Sequence, residues 1–140
     1  MKVLIDTNVI IDILEKREPF FTNSYRVIQL GLEEKLETLM SAGTVTDVYY
    51  IINRSLHNAN KAKEKIITLT NLVTFCNTTS DDISNALTSG ITDFEDAVVA
   101  AIAKREKAVY IITRNEADFT NSPVPAINPA QFLTQFLKKL

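Results

Sequence analysis

The chain has 140 residues, of which 46% are hydrophobic, with a formal net charge of −2 and a pI of about 5.4. Such a chain can form one domain that buries about 68–70% of its unfolded surface, and its composition excludes a disordered protein. A general nucleic-acid coating protein is usually basic, so the charge gives no support to that class. A nuclease with an acidic centre remains compatible with it.

We expect neither a membrane-spanning segment nor a signal peptide from this sequence. The longest apolar run covers residues 97–103, which is far shorter than the roughly 20 residues of a membrane-spanning helix. Asp6 interrupts the N-terminal apolar run too early for a signal peptide. Cys76 is the one cysteine, so no intramolecular disulfide can form. We therefore expect a cytoplasmic protein without a membrane partner.

The N-terminal residues predict a buried strand that ends on a carboxylate. Residues 3–5 form an unbroken apolar run, as in a strand covered on both faces of a parallel sheet, and Asp6 follows directly. Thr7 or Asn8 can cap a helix that continues through residues 9–14. Asp6 is thus predicted at the carboxyl end of a strand, where open α/β sheets bind ligands.

Strands and helices alternate through the rest of the chain. Further strands are predicted near residues 36–42, 72–76, 109–112 and 124–127. Helices are predicted to begin near Pro19, Thr44, Ala59, Thr79, Thr92 and Asn128. This alternation predicts an α/β fold, with a parallel sheet, right-handed crossovers and helices on both faces.

Four aspartates are placed near one edge of this predicted sheet. Asp6 follows the first strand, and Asp118 follows the fourth by a few residues. Asp47 lies in the first turn of the helix after the second strand. Asp96 lies near the start of an alanine-rich helix, with Asp93 three residues earlier on much the same face. Because strand carboxyl ends and the following helix N-termini share an edge, we expect these acids to converge.

Each acid also has a structural interpretation. Acids in a first helical turn interact favourably with the helix dipole, which taken alone explains Asp47 and Asp118 somewhat better than chemistry does. Glu95 is assigned to a capping box that begins at Thr92. Asp81 and Asp82 are assigned to helix capping and the surface.

Converging carboxylates favour a hard divalent cation. Two such groups repel by roughly 4 kcal/mol per close pair at an effective dielectric of 20, so they persist when a cation neutralises them or protons are shared. Oxygen ligands without cysteine or histidine favour Mg²⁺ or Mn²⁺, which polarise phosphate oxygens and activate water. His57 is the one histidine, and no Gly-x-Ser-x-Gly motif or glycine-rich phosphate loop is present. Two-histidine ribonucleases, serine hydrolases and nucleotide-cofactor folds are therefore disfavoured.

Four segments resemble the PIN domain family in the order that the family has them. They are residues 2–9 (KVLIDTNV), 46–51 (TDVYYI), 93–97 (DFEDA) and 113–119 (TRNEADF). The resemblance covers residues 1–140 as a single PIN domain and is greatest to small bacterial proteins akin to VapC-type toxin ribonucleases. It implies a Rossmann-like sheet of strand order 3-2-1-4-5 and a Mg²⁺- or Mn²⁺-dependent endoribonuclease that cuts single-stranded RNA.

The resemblance also implies roles for individual residues. The metal ligands would be Asp6, Asp96 and Asp118. Asp47 would be the acid of the second motif, where many VapC-type toxins have glutamate. Since aspartate is one methylene shorter, Asp47 is expected to reach the metal through water. The supporting polar residues would be Thr113, which holds a water or phosphate oxygen, and Asp93, Asn8 and Asn115.

Partners also follow from the resemblance. Besides RNA, we expect an antitoxin protein and a homodimer. Candidate contacts to the RNA backbone are Arg54, Lys61, Lys63, Lys65, Arg105 and Arg114.

Two other functions are considered. A non-catalytic PIN-like module that binds RNA or protein is the main alternative. A phosphatase of the haloacid dehalogenase type needs a second aspartate two residues after the first, and Asn8 occupies that position.

Overall fold

A computed structural model describes residues 1–139. Five strands form one parallel sheet in the order β3-β2-β1-β4-β5. The strands are β1 (Lys2–Ile5), β2 (Glu37–Ser41), β3 (Thr74–Cys76), β4 (Tyr110–Ile112) and β5 (Ala126–Ile127). This topology confirms the predicted strand order. The predicted domain boundary at residue 140 lies outside the described residues.

Seven α-helices connect and cover the strands within residues 1–139. They are α1 (Thr7–Leu14), α2 (Phe21–Leu32), α3 (Val45–Leu56), α4 (Ala59–Thr70), α5 (Ser80–Leu87), α6 (Phe94–Arg105) and α7 (Pro129–Lys138). Two short 3-10 helices cover Ala42–Thr44 and Glu116–Phe119. None of the helices described is both long and apolar enough to cross a membrane.

The sheet separates two hydrophobic cores. Val3 and Ile5 belong to the larger core, which includes residues of α1, α2, α3, α4 and α7. Leu4 belongs to the second core, with residues of α5 and α6. Successive side chains of a strand point to opposite faces, and these three residues are at most 1% exposed. Strand β1 is therefore covered on both sides, which places Asp6 at the centre of the sheet's carboxyl edge.

Several helix starts differ from the predictions. Asp6 itself caps α1 by accepting a hydrogen bond from its neighbour's amide, so the predicted cap at Thr7 or Asn8 is wrong. Helix α2 begins at Phe21 rather than at Pro19. Helix α6 is capped by Asp93, not by Thr92. Starts at Ala59 and at the Asn128 cap are confirmed.

The acidic residues at the start of α5 agree with the prediction only in part. Thr79 and Asp82 form the predicted capping box, with each side chain accepting a hydrogen bond from the other residue's amide. Asp82 is only 1% exposed, so its assignment to the surface is wrong. Arg105 from α6 binds its carboxylate at 3.0 Å, which compensates the buried charge.

Candidate active site

The Asp6 carboxylate is fixed in position by three hydrogen bonds. Its Oδ1 accepts from the Thr7 amide at 2.9 Å. Its Oδ2 accepts from the Thr113 hydroxyl at 2.8 Å and from the Asn8 side-chain amide at 3.3 Å. The backbone continues the ladder, because the Asp6 amide donates to the Ile112 carbonyl at 2.9 Å. An ionised carboxylate has about four acceptor sites, so Asp6 keeps room for one further partner.

Thr113 orients Asp6 from the end of β4. Its side chain is fully buried, and its one hydroxyl proton is donated to Asp6. The same oxygen accepts from the Asn8 side chain at 3.1 Å and from the Asn115 amide at 3.0 Å. A hydroxyl has one donor and two acceptor sites, so all three are occupied here. In this arrangement Thr113 holds the aspartate and has no free site for a water or phosphate oxygen.

Arg114 anchors the same loop to α1. Its backbone amide donates to the Asn8 side-chain oxygen at 3.1 Å. Its guanidinium donates to the Asp12 carboxylate from Nε at 2.6 Å and from Nη2 at 3.2 Å. Asp12 is fully buried, and the ring of Phe20 lies 4.0 Å from the guanidinium carbon. Arg114 thus neutralises a buried acid and fixes the loop that carries Thr113.

Helix α6 brings further acids to Asp6. Asp93 caps the helix by accepting from the Asp96 amide at 3.0 Å. Burial raises the pKa of Asp96 to about 7, with added repulsion from the charges of Asp93, Asp6 and Asp118. Burial also raises the pKa of Asp6, against the lowering effect of its hydrogen bonds, and the charge of Asp118 adds to the rise. Asp6, Asp93, Asp96 and Asp118 therefore lie close enough to interact, as the sequence predicted for this edge.

Glu95 joins this group, and its assignment to a capping box is wrong. Helix α6 is capped one residue later than predicted, which puts Glu95 at the second helical position rather than the capping-box position. Burial raises the pKa of Glu95, and the nearby charges of Asp47, Asp93 and Asp6 raise it further. Asp47 therefore lies close enough to Glu95 for its charge to act on that carboxyl. The sequence contained a signal for this role of Glu95, because three acids within residues 93–96 are more than one helix cap requires.

We call Asp6, Asp47, Asp93, Glu95, Asp96 and Asp118 the acidic cluster. Within residues 1–139, none of these acids forms an ion pair with lysine or arginine. Asp93, Asp96 and Asp118 also line an open cavity of about 570 Å³. The acidic cluster therefore presents uncompensated negative charge to solvent.

The acidic cluster fits a hard cation in its chemistry. As the described side chains stand, no three acids, histidines or cysteines are close enough to form a metal-binding group. Mg²⁺ does not require one, because it is usually held by one or two carboxylates together with waters and substrate phosphates. Three features favour such an ion. The acids repel one another, Asp6 has a free acceptor site, and the acidic cluster has no basic partner among residues 1–139.

The predicted RNA-contacting residues are not all near the acidic cluster. Arg54, Lys61 and Lys63 are exposed and Lys65 is half-buried, all on α3 and α4. Arg105 is nine residues after Asp96 on α6, about 13 Å along the helix, and is held by Asp82, Glu106 and the Asn77 carbonyl. The structure thus does not bring Arg105 to the acidic cluster. The Arg114 side chain is bound to Asp12 rather than free.

Known proteins share this sequence pattern and fold. Residues 2–117 match a family model described as "PIN domain". Ribonuclease VapC1 of Aquifex aeolicus is 25% identical over 136 residues, which is 94% of this chain and 92% of that protein.

Solved structures of other proteins have a fold similar to that of this chain. A structure of VapBC2 from Rickettsia felis, bound to a promoter DNA fragment, aligns with a TM-score of 0.73 and 17% identity, covering 91% of this chain and 98% of that one. A toxin-antitoxin complex from Klebsiella pneumoniae aligns with a TM-score of 0.65 and 20% identity, covering 91% and 97%. Since the family model spans most of the chain and the fold agrees, this protein belongs to the PIN domain family.

Proposed function

We propose that this protein is a divalent-metal-dependent endoribonuclease. The observation that carries the proposal is the acidic cluster, which is assembled at the carboxyl edge of the sheet without a basic partner among residues 1–139. Membership of the PIN domain family and similarity to a ribonuclease of the VapC type support this activity. The acids that would need to be ionised repel one another, and a cation with a phosphate ligand would relieve that repulsion.

Asp6, Asp96 and Asp118 would hold Mg²⁺ or Mn²⁺ in this proposal. The bound ion would polarise a phosphate oxygen of RNA and lower the pKa of a water. Asp6 is oriented for this by Thr113 and Asn8, so little reorganisation is needed when the ion enters. Asn115 fixes the Thr113 hydroxyl through its amide.

Glu95, with Asp47 near it, would transfer protons beside the ion. Burial raises the pKa of the Glu95 carboxyl, and the nearby charge of Asp47 raises it further. A carboxyl with a raised pKa can donate a proton to a leaving oxygen, which is general acid catalysis. Asp93 is held by its cap bond and adds to the local negative charge.

An antitoxin partner is part of the proposal. One of the similar structures is a toxin-antitoxin complex, and we propose that this chain is likewise the toxin of such a pair. A homodimer is proposed on the same family resemblance. The uncompensated acids favour a catalytic protein over a PIN-like module that only binds RNA or protein.

A cleavage assay tests the proposal. Purified protein is incubated with a labelled RNA pool in Mg²⁺, Mn²⁺ or EDTA, beside Asp6→Asn, Asp96→Asn and the control Asp81→Asn on the exposed start of α5. We expect cleavage with metal that is lost with EDTA and in both cluster variants but kept in the control. Cleavage that survives either cluster substitution, or no cleavage with either metal, would contradict the proposal.

A further inference from the structure

A second cavity lies beyond the carboxyl ends of β4 and β5. Its volume is about 340 Å³, and its wall includes Arg114, Glu116 and Asn128. The segment 113–118 separates the two places: Thr113 and Asp118 serve the acidic cluster, whereas Arg114 and Glu116 line this cavity. The cavity and the acidic cluster therefore use neighbouring residues of one short segment.

The cavity has flat walls. Phe20, Pro19 and Pro129 contribute rings to it. The guanidinium carbon of Arg114 lies 4.0 Å from the centre of the Phe20 ring, and Phe20 is still 40% exposed. Aromatic rings and arginine planes are the groups on which unpaired RNA bases stack.

The same wall carries unused polar groups. Ser24 is fully buried, and its hydroxyl has no hydrogen-bond partner among residues 1–139. Arg114 uses Nε and Nη2 for Asp12, so those bonds leave Nη1 available as a donor. Glu116 uses Oε1 to accept from Asn128 at 2.8 Å, which leaves Oε2 as an acceptor. A buried hydroxyl without a partner destabilises a protein, so its retention here suggests a ligand.

We infer that this cavity binds one base of the RNA strand, next to the phosphate that is cut at the acidic cluster. The inference rests on the proposed function and adds to it a site that selects the base at one position. Rings and arginine supply stacking, and the serine, arginine and glutamate supply both donors and acceptors for a base edge. The volume is at the lower end of the about 300–1,000 Å³ typical of ligand pockets, which suits a single base.

Sequencing the cut ends of a random RNA pool tests this site. Wild-type protein should show a base preference at one fixed position beside the cut. Phe20→Leu removes the stacking ring and should lower cleavage of the preferred sequences about tenfold while cleavage of the others changes little. Ser24→Ala removes only the unpartnered hydroxyl and should change which base is preferred without lowering the melting temperature.

Phe21→Leu is the matched control, because Phe21 is the next residue and stacks on Tyr25 outside this cavity. It should keep the wild-type base preference. A preference that survives both Phe20→Leu and Ser24→Ala, or a wild-type protein that cuts without preference, would overturn the inference and leave the nuclease intact.

Nucleotide binding separates the two proposals. If wild-type protein cuts no RNA, the proposed function fails, and the cavity is then tested alone. The amide signals of Arg114 and Glu116 are followed by NMR during titration with each nucleoside 5′-monophosphate. Shifts that appear in the wild type and Phe21→Leu but are lost in Phe20→Leu would support a base site. Equal shifts in all three proteins, or none, would overturn it.

Discussion

Two groups of carboxylates in this protein are treated in opposite ways. Asp12 and Asp82 are at most 1% exposed, and each is bound by an arginine, at 2.6 Å from Arg114 and 3.0 Å from Arg105. The acidic cluster is more exposed, yet it has no basic partner among residues 1–139. The chain therefore compensates acids that serve the fold and leaves the acidic cluster uncompensated.

The pKa values show the consequence. Burial acts to raise the pKa of Asp82, but the hydrogen bonds from Arg105 and Thr79 bring it below its ordinary value. Burial and neighbouring acids instead raise the pKa of Asp96 to about 7. Such a group is ready to exchange a proton for a cation near neutral pH, which a paired acid is not.

Breaking a compensated acid should have the largest effect on stability. Asp12→Ala leaves the partly buried Arg114 without its partner, which should lower the free energy of unfolding by about 3 kcal/mol. Urea unfolding measures this change. The double variant Asp12→Leu with Arg114→Met should lose clearly less, because no unpaired charge remains. Equal losses in the single and double variants would show that packing, not charge, is responsible.

Asp6→Asn should have the largest effect on activity and little on stability. The substitution removes a charge from the acidic cluster while keeping the side-chain shape, so cleavage of RNA should fall at least about 100-fold. The melting temperature should change little, because removal of a charge that burial disfavours offsets the loss of hydrogen bonds at the oxygen that becomes an NH2 group. A fall in the melting temperature that tracks the fall in activity would make Asp6 a residue of the fold.

Only part of this division between acids that serve the fold and acids of the candidate site could be predicted from the sequence. Val3, Leu4 and Ile5 predicted the central strand because a strand buried on both faces needs an unbroken apolar run. The positions of Asp6, Asp96 and Asp118 at one edge follow from that topology. Glu95 was misassigned because a cap shifted by one residue moves the side chain to another part of the helix.

Ion pairs between residues that are far apart in the chain could not be predicted from the sequence. Asp12 and Arg114 are 102 residues apart, and nothing in their local pattern indicates that they meet. The sequence therefore did not indicate that Arg114 and Arg105 bind buried acids, as both do in the structure. The choice between a free and a paired arginine depends on tertiary packing.

The pH dependence of cleavage should show the proton on Asp96. With a pKa of about 7, Asp96 is mostly protonated at pH 6 and mostly ionised at pH 8. At subsaturating Mn²⁺, cleavage should therefore rise about tenfold between these two pH values, because only the ionised form binds metal. The rise should shrink at saturating Mn²⁺. An equal rise at both metal concentrations would indicate a different titrating group.

Asp96→Asn should give the smallest effect, a gain in stability without metal. A raised pKa in the folded state means that wild-type stability falls as pH increases from the unfolded value near 4 through about 7. Removing the charge should therefore stabilise the apo protein at pH 8 by about 1 kcal/mol after allowance for solvent screening. The gain should shrink to less than half at pH 5 and disappear only below about pH 4, where both states are protonated. Urea midpoints at both pH values would show whether it does.

Calorimetric titration of Mn²⁺ into the metal-free protein at pH 8 tests most directly whether the acidic cluster is kept uncompensated for a cation. The account predicts saturable binding that weakens at least tenfold in Asp96→Asn and in Asp6→Asn. The same affinity should be kept in Asp81→Asn, on the exposed start of α5. Wild-type protein that binds no Mn²⁺, or binds it equally after both cluster substitutions, would contradict the account.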